Sequence, residues 1–303
     1  MSAAEFVALD LPPLLIAMLA AMACALPGVF LLLRRQAMLG DAISHVVLPG
    51  VVTAFLLTGV VETIPMMVGA GAAALVAAAL IEGLTRFGGV EPGAAMGVTF
   101  TTMFAAGVAA LELSGAAGVH LDVEHALYGN LESLIWLEAE GWASLADPVA
   151  LSALPPQLPR IAVVLAALAA LTMAFWRPLA LAAFDPVYAA TVGARPRAIG
   201  AGLVAAAALA AVAAFEAVGS VLVIAMFVCP PAAARLCTDR LDLMLRLALG
   251  FAAVSGATGW LLAAWAPAAL GATWSLGAAG MIAVVSGVIL LGASLFGPAR
   301  RRV

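Results

Sequence analysis

The chain alternates long apolar runs with short polar punctuation, and the runs are the length of bilayer crossings. They fall at about Leu14–Leu33, Ala37–Val61, Pro65–Leu84, Ala94–Leu113, Ile161–Leu179, Ala198–Phe215, Gly219–Ala234, Leu243–Trp265 and Trp274–Phe296. A helix needs about 20 apolar residues to cross the hydrocarbon core, so this pattern predicts an all-α integral membrane protein. Nine transmembrane helices are expected, or eight if Gly219 marks a break within one hairpin or a pair of half-helices. Glu91-Pro92 reads as a helix start, with an acid placed favourably for the helix dipole.

Basic residues orient the pattern. With the N-terminus outside, Arg34, Arg35, Arg86, Arg177, Arg195, Arg197, Arg235, Arg240, Arg246 and Arg300 to Arg302 all fall on one side. By the positive-inside rule that side is cytoplasmic and holds the C-terminus, while Arg160 alone falls outside. Met1 to Pro13 contains no base, so the first run reads as a retained span rather than a cleaved signal. Ser114 to Arg160 differs from the rest: it carries Asp122, Glu124, Glu132, Glu138, Glu140 and Asp147. It is expected to be an external loop with short amphipathic or re-entrant helices, Trp136 and Trp142 serving as interfacial anchors. The whole chain, residues 1–303, reads as a single polytopic transmembrane domain.

Composition agrees: 65% of residues are hydrophobic, 10% are charged and mean hydropathy is +1.16. The ordinary soluble balance is about 25% charged. A net charge of -4 names no soluble partner, and no nucleic acid is expected. Cys24, Cys229 and Cys237 form no C-x-x-C pair, so neither a disulfide framework nor a zinc knuckle is indicated. There is no lysine, and therefore no P-loop ATP site on this chain. H-E-x-x-H and G-x-S-x-G are also absent, which leaves an intramembrane enzyme poorly supported.

The candidate chemistry lies in the second run, in Gly40-Asp41-Ala42-Ile43-Ser44-His45-Val46-Val47-Leu48-Pro49-Gly50. On a helix Asp41 and His45 stand one turn apart on one face, a carboxylate beside an imidazole. Such a pair is half of a site for a divalent first-row metal: imidazole favours Zn, Fe or Ni, and the carboxylate keeps Mn within reach. In a helix beginning near Gln36, His45 sits roughly 14 Å in, near mid-membrane. Pro49 has no N–H to give to the carbonyl of His45, so the backbone offers a third oxygen there. The same two residues could instead pair with each other or cap a helix. In a span, ionisable groups cost about 2.5–3.5 kcal/mol and usually mark a pathway.

Other polar positions carry two readings each. Glu216 lines a pathway or is a hydrogen-bonded structural acid. Cys229, beside Pro230 and Pro231, is a soft ligand at a kink or a small cysteine packed there. His120 and His125 hand on metal or are ordinary surface histidines.

Taken together, Arg34-Arg-Gln-Ala-Met-Leu-Gly-Asp-Ala-Ile-Ser-His-Val-Val-Leu-Pro-Gly50 resembles the signature of the ABC-3 family, the permease subunits of bacterial zinc, manganese and iron ABC importers. Glu91-Pro-Gly-Ala-Ala-Met-Gly97, Ala126-Leu-Tyr-Gly-Asn130, Phe184-Asp-Pro-Val-Tyr-Ala189 with Gly193, and Val218 to Arg235 are also similar. The resemblance implies that Asp41 and His45 lie on the metal pathway. It also implies that Phe184, Asp185, Pro186, Ala190 and Gly193 belong to a cytoplasmic segment, about 184–197, that touches the ATPase.

Implied partners are cytoplasmic ATPase subunits, a second permease (a like copy or a paralogue), an extracytoplasmic metal-binding protein and the lipid bilayer. The transported ion is Mn, Zn or Fe, and no cofactor is held permanently. Cys229 and the doubled proline depart from the family pattern, and the external loop is longer than usual. Two other classes stay open: a proton-coupled secondary metal carrier using Asp41, His45 and Glu216, and a structural or sensory membrane subunit.

Overall fold

The computed structural model describes residues 2–59, 63–113, 129–271 and 275–298, and every regular element among them is helical. The long helices are α1 (Leu11–Leu33), α2 (Leu39–Thr58), α3 (Thr63–Arg86), α4 (Pro92–Leu113) and α5 (Gln157–Ala174). Two short ones follow, α6 (Trp176–Phe184) and α7 (Pro186–Thr191), and then α8 (Pro196–Cys237), α9 (Leu241–Ala269) and α10 (Ala278–Phe296). Eight stretches among the described residues are long and apolar enough to cross a bilayer. Two of them are the halves of α8, and α2 contributes a shorter apolar piece, Pro49–Thr58.

Helix α8, at 42 residues, is far longer than a bilayer is thick. Its one non-helical residue, Gly219 (φ 72°, ψ 173°), lies in a region open essentially to glycine alone. Contacts show that the chain reverses there. Gly129 and Asn130, from the long connection, sit against Gly219 and Ala217, the Asn130 N–H donating to the Ala217 carbonyl at 3.2 Å. At the opposite end, Arg34 lies against Gly200, and Gly297 lies against Leu236. Gly219 thus settles the question its position raised: α8 is two crossings. Pro230 and Pro231 keep helical dihedrals, so the expected break is at Gly219 and not at the prolines.

Two faces follow from this pairing. The loop face carries residues 129–154, the start of α1, Gly219 and the start of α10. There the Trp136 N–H donates to the Ala8 carbonyl (2.8 Å), and the Ala278 N–H to Glu132 Oε1 (2.8 Å). The opposite, arginine-rich face carries Arg34, Arg35, Arg177, Arg195, Arg197, Arg235 and Arg240. At that face α1 stops in a Schellman motif, with Gln36 N–H on the Leu31 carbonyl and Arg35 N–H on that of Leu32. Arg35 takes the left-handed position (φ 58°) that usually belongs to glycine. Burial holds the Arg34 pKa below its usual value, against the opposing pull of the Glu82 carboxylate.

Helix α1 is the trunk, packed by α8, α9 and α5, while α2, α3 and α4 form a second group that leans on α8. Two expectations need correction. The fifth run ends at Ala174 rather than Leu179, because Pro178 cannot donate to the Ala174 carbonyl and the chain restarts as α6. Trp136 is no interfacial anchor: it is 1% exposed, and its indole N–H donates to the Ala150 carbonyl at 2.8 Å. Trp142 is the exposed one. The described part of this connection holds only single turns, Leu131–Ser133, Trp142–Ala146 and Pro148–Ser152.

Candidate metal pathway around His45

Helix α2 is set in place by small residues. Gly40 meets the Phe227 ring of α8, and Gly50 meets Gly69 and Ala70 of α3. Pro49 rests on Gly107 of α4. In each case a β-carbon on the glycine would stand under 3 Å from its neighbour, so the three partner helices approach α2 more closely than larger residues allow. The helix runs unbroken through Pro49, whose carbonyl accepts from Thr53 Oγ1 at 2.7 Å. Positions 41 and 45 therefore keep the one-turn spacing expected of a two-ligand half-site.

His45 is half-buried. Its ring stacks on Phe100 (centroids 5.2 Å, planes 22° apart) and meets the edge of Phe104 (6.3 Å, 83°). These two phenylalanines of α4, four residues apart, cover the imidazole without competing for its nitrogens, whose lone pair and N–H lie in the ring plane. Sequence reading missed both. The only signal was the period: Phe100, Phe104 and Gly107 fall on one stripe of α4.

The other candidates separate. Position 216 lies one turn before the Gly219 reversal, at the loop face. The side chains of Asp41 and Glu216, and all of His120 and His125, lie outside the described residues. Cys229 is half-buried. It stands about 200° round α8 from Phe227, so the contact that seats α2 does not bring Cys229 to His45. Among the described residues no group of three or more His, Cys, Asp or Glu is brought together. An apolar cavity of about 310 Å³ opens between α1, α5, α6 and α8, lined by Phe30, Leu168, Phe175 and Leu203 among others. It contains no acid, histidine or cysteine, so cavity and chemistry do not coincide.

On the arginine-rich face, Phe184 ends α6 and α7 is a complete small helix. Asp185 Oδ1 accepts from the Tyr188 N–H at 2.8 Å, Pro186 takes the first position, and Gly193 (φ 84°) ends it. The Ala194 N–H reaches the Ala189 carbonyl and the Gly193 N–H that of Ala190, a second Schellman stop. Ala189 is buried, whereas Ala190, Val187 and Tyr188 are exposed.

The model of the ABC 3 transport family matches residues 9–138 and 150–296. This chain belongs to that family. The manganese transport system membrane protein MntD of Bacillus subtilis is 39% identical over 281 residues, 93% of this chain and 90% of that protein. A probable iron transport system membrane protein of Haemophilus influenzae is 28% identical over 91% of this chain and 85% of its own length. Among solved structures, PsaBC from Streptococcus pneumoniae in complex with Fab aligns with a TM-score of 0.73 at 25% identity, covering 96% of this chain and 92% of that one. This member of the ABC 3 transport family is a multi-pass protein of the bacterial inner membrane, a transport component rather than an enzyme.

Proposed function

We propose that this chain is the permease subunit of an ATP-binding-cassette importer for a divalent transition metal ion: manganese, zinc or iron. The observation that carries the reading is family membership along nearly the whole chain, with a manganese transport system membrane protein 39% identical over 90% of its length. Asp41 and His45 are the proposed metal ligands on the pathway, the imidazole held by Phe100 and Phe104. The arginine-rich face is proposed as cytoplasmic, following the positive-inside rule. ATP hydrolysis belongs to separate ATPase chains, since this one lacks the P-loop lysine. A second permease and an extracytoplasmic metal-binding protein complete the proposed assembly.

The capped helix Pro186–Thr191 favours this reading over a proton-coupled carrier. Its exposed Val187, Tyr188 and Ala190 offer an apolar docking surface beside flanking arginines, which a carrier does not need. Competitive uptake of Mn, Zn and Fe by cells carrying the complete transporter tests the function and names the ion. Uptake that persists after the proton gradient is collapsed, while ATP is maintained, supports the importer; uptake that stops with the gradient overturns it. Asp41→Asn and His45→Ala are each expected to remove uptake and leave the protein folded and assembled, and normal uptake in both ends the site assignment. A bulky charged residue at Ala190 or Gly193 is expected to abolish transport and transport-linked ATP hydrolysis with the metal ligands untouched. Full transport in those variants removes α7 as the coupling element.

A further inference from the structure

The cavity between α1, α5, α6 and α8 is apolar apart from Thr172, and its volume of about 310 Å³ is that of a small-ligand site. It lies in the half of the fold nearest the arginine-rich face. Its lining residues Pro27 and Phe30 belong to the last two turns of α1, and Ile199 and Gly202 to the first two turns of α8. It also opens sideways, because Leu171, Phe175 and Gly202 are exposed. A groove open on the flank of a membrane span at that depth faces the bilayer.

The end of the groove is cationic. The Arg34 N–H donates to the Phe30 carbonyl (3.1 Å) and the Ile199 N–H to the Arg195 carbonyl (3.0 Å), so on two walls an arginine stands one helical turn beyond a lining residue. The Arg34 guanidinium reaches from α1 to Gly200 at the start of α8, beside Ile199, and so bridges those walls. Its Nε donates to Gln36 Oε1 at 3.2 Å, but its Nη1 is buried and has no hydrogen-bond partner among the described residues. Of the neighbouring acids, Glu82 on α3 attracts Arg34 from a distance, and Asp185 is occupied by the Tyr188 N–H. Trp176, whose ring meets Phe30 edge-on (centroids 6.2 Å, planes 81° apart), adds an aromatic of the kind found at headgroup level.

From this arrangement we infer that the groove binds an anionic phospholipid of the adjoining leaflet, with an acyl chain between α5 and α8 and the phosphate on the unpartnered Arg34 donor and Arg195. An apolar slot ending in guanidinium groups at the membrane surface matches an apolar tail with an anionic head. A second permease fits the groove less well. The proposed pathway residue His45 is on α2 and covered by α4, whereas α5 packs on α1, α6 and α8, so a copy sharing that pathway approaches α2 and α4.

The test titrates the purified full chain with phosphatidylglycerol or with phosphatidylcholine of the same acyl chains and counts retained lipid by native mass spectrometry. The parent is expected to retain phosphatidylglycerol in preference, and Arg34→Gln and Arg195→Gln each to weaken that retention about fivefold. Gly202→Leu, where a β-carbon meets nothing within 4 Å, fills the slot without touching the backbone and should remove the retained lipid. Phosphatidylglycerol should raise the melting temperature of the parent and not of the double arginine variant. Equal retention of the two lipids by the parent, or an unchanged preference in the double variant, overturns the inference. So does an equal rise in melting temperature with inorganic phosphate, which would mean a bare anion site, or dissociation of a dimer by Gly202→Leu with lipid retention intact, which would mean a second copy on this face. Should Arg34→Gln not assemble, Arg195→Gln with Gly202→Leu gives the same two-way reading.

Discussion

Helices α1 and α3 are written in nearly the same alphabet and end in opposite surroundings. Seventy-two per cent of the apolar window at α1 is buried within the protein, against 22% of the one at α3. Small residues make the difference possible. Along α1, Ala17, Ala20, Ala21, Ala23, Cys24, Ala25 and Gly28 are buried and let neighbours close in, so that Ile16, Leu26, Val29, Phe30 and Leu31 are covered too, while α3 turns Val68, Leu75, Val76 and Leu80 outward. Lipid tails are as apolar as leucine, so no hydrophobic force sorts these helices. Close approach of backbones does, and small side chains permit it.

The sharpest way to break this comparison is to enlarge one glycine in each helix. A β-carbon on Gly28 would stand 2.5 Å from the Phe227 carbonyl and 3.1 Å from the Pro231 ring, whereas one on Gly71 meets nothing within 4 Å. Gly28→Leu is expected to cost about 3 kcal/mol or prevent assembly. Gly71→Leu should stay within about 0.5 kcal/mol of the parent, or gain slightly from helix propensity. Thermal unfolding of the two purified variants decides it, and equal losses would mean that the trunk is not held by close packing. Pro231 leaves the Phe227 carbonyl without its helical donor, and that carbonyl lies against Gly28.

A smaller effect is expected at the loop face, where Glu132 accepts from the first N–H of α10. Glu132→Ala removes that acceptor and should lower stability by about 1 kcal/mol, with Glu132→Gln close to the parent. An unchanged melting temperature in the alanine variant would show that α10 is held by its packing alone.

The smallest effect belongs to Glu91 in the periphery, whose carboxylate accepts from the N–H groups of Gly93 and Ala94 and is held below the usual carboxylate pKa by them. A carboxylate depressed in the folded state stabilises above its unfolded pKa, about 4.3, and the contribution is lost as pH falls through the folded value. The difference in melting temperature between the parent and Glu91→Gln should therefore be present at neutral pH and vanish in acid. A difference independent of pH would assign the effect to shape rather than charge.

The positions of the crossings, the arginine asymmetry, the one-turn spacing of Asp41 and His45 on α2 and the capped segment at Asp185 were all legible in the amino-acid order. Each depends on local chemistry: backbone polar groups in lipid must be satisfied within a helix, a side chain four residues on shares a face, and Asp-Pro starts a helix as Gly ends one. The reversal at Gly219 stayed ambiguous because 29 glycines occur and, among the described residues, only this one takes that backbone conformation inside a long helix. Trp136 misled because an indole at a membrane edge and an indole in a small core look alike until Val7 and Ala150 close over it. Phe100 and Phe104 were invisible as neighbours of His45, since nothing within α4 distinguishes them from lipid-facing residues. Only the register of α4 against α2, set where Gly107 admits Pro49, brings two rings onto His45. The sequence by itself determined the helices and the one-turn spacing of an aspartate and a histidine; the tertiary contact between helices about 50 residues apart in the chain decided what surrounds the histidine, because distance through space is fixed by packing and not by spacing.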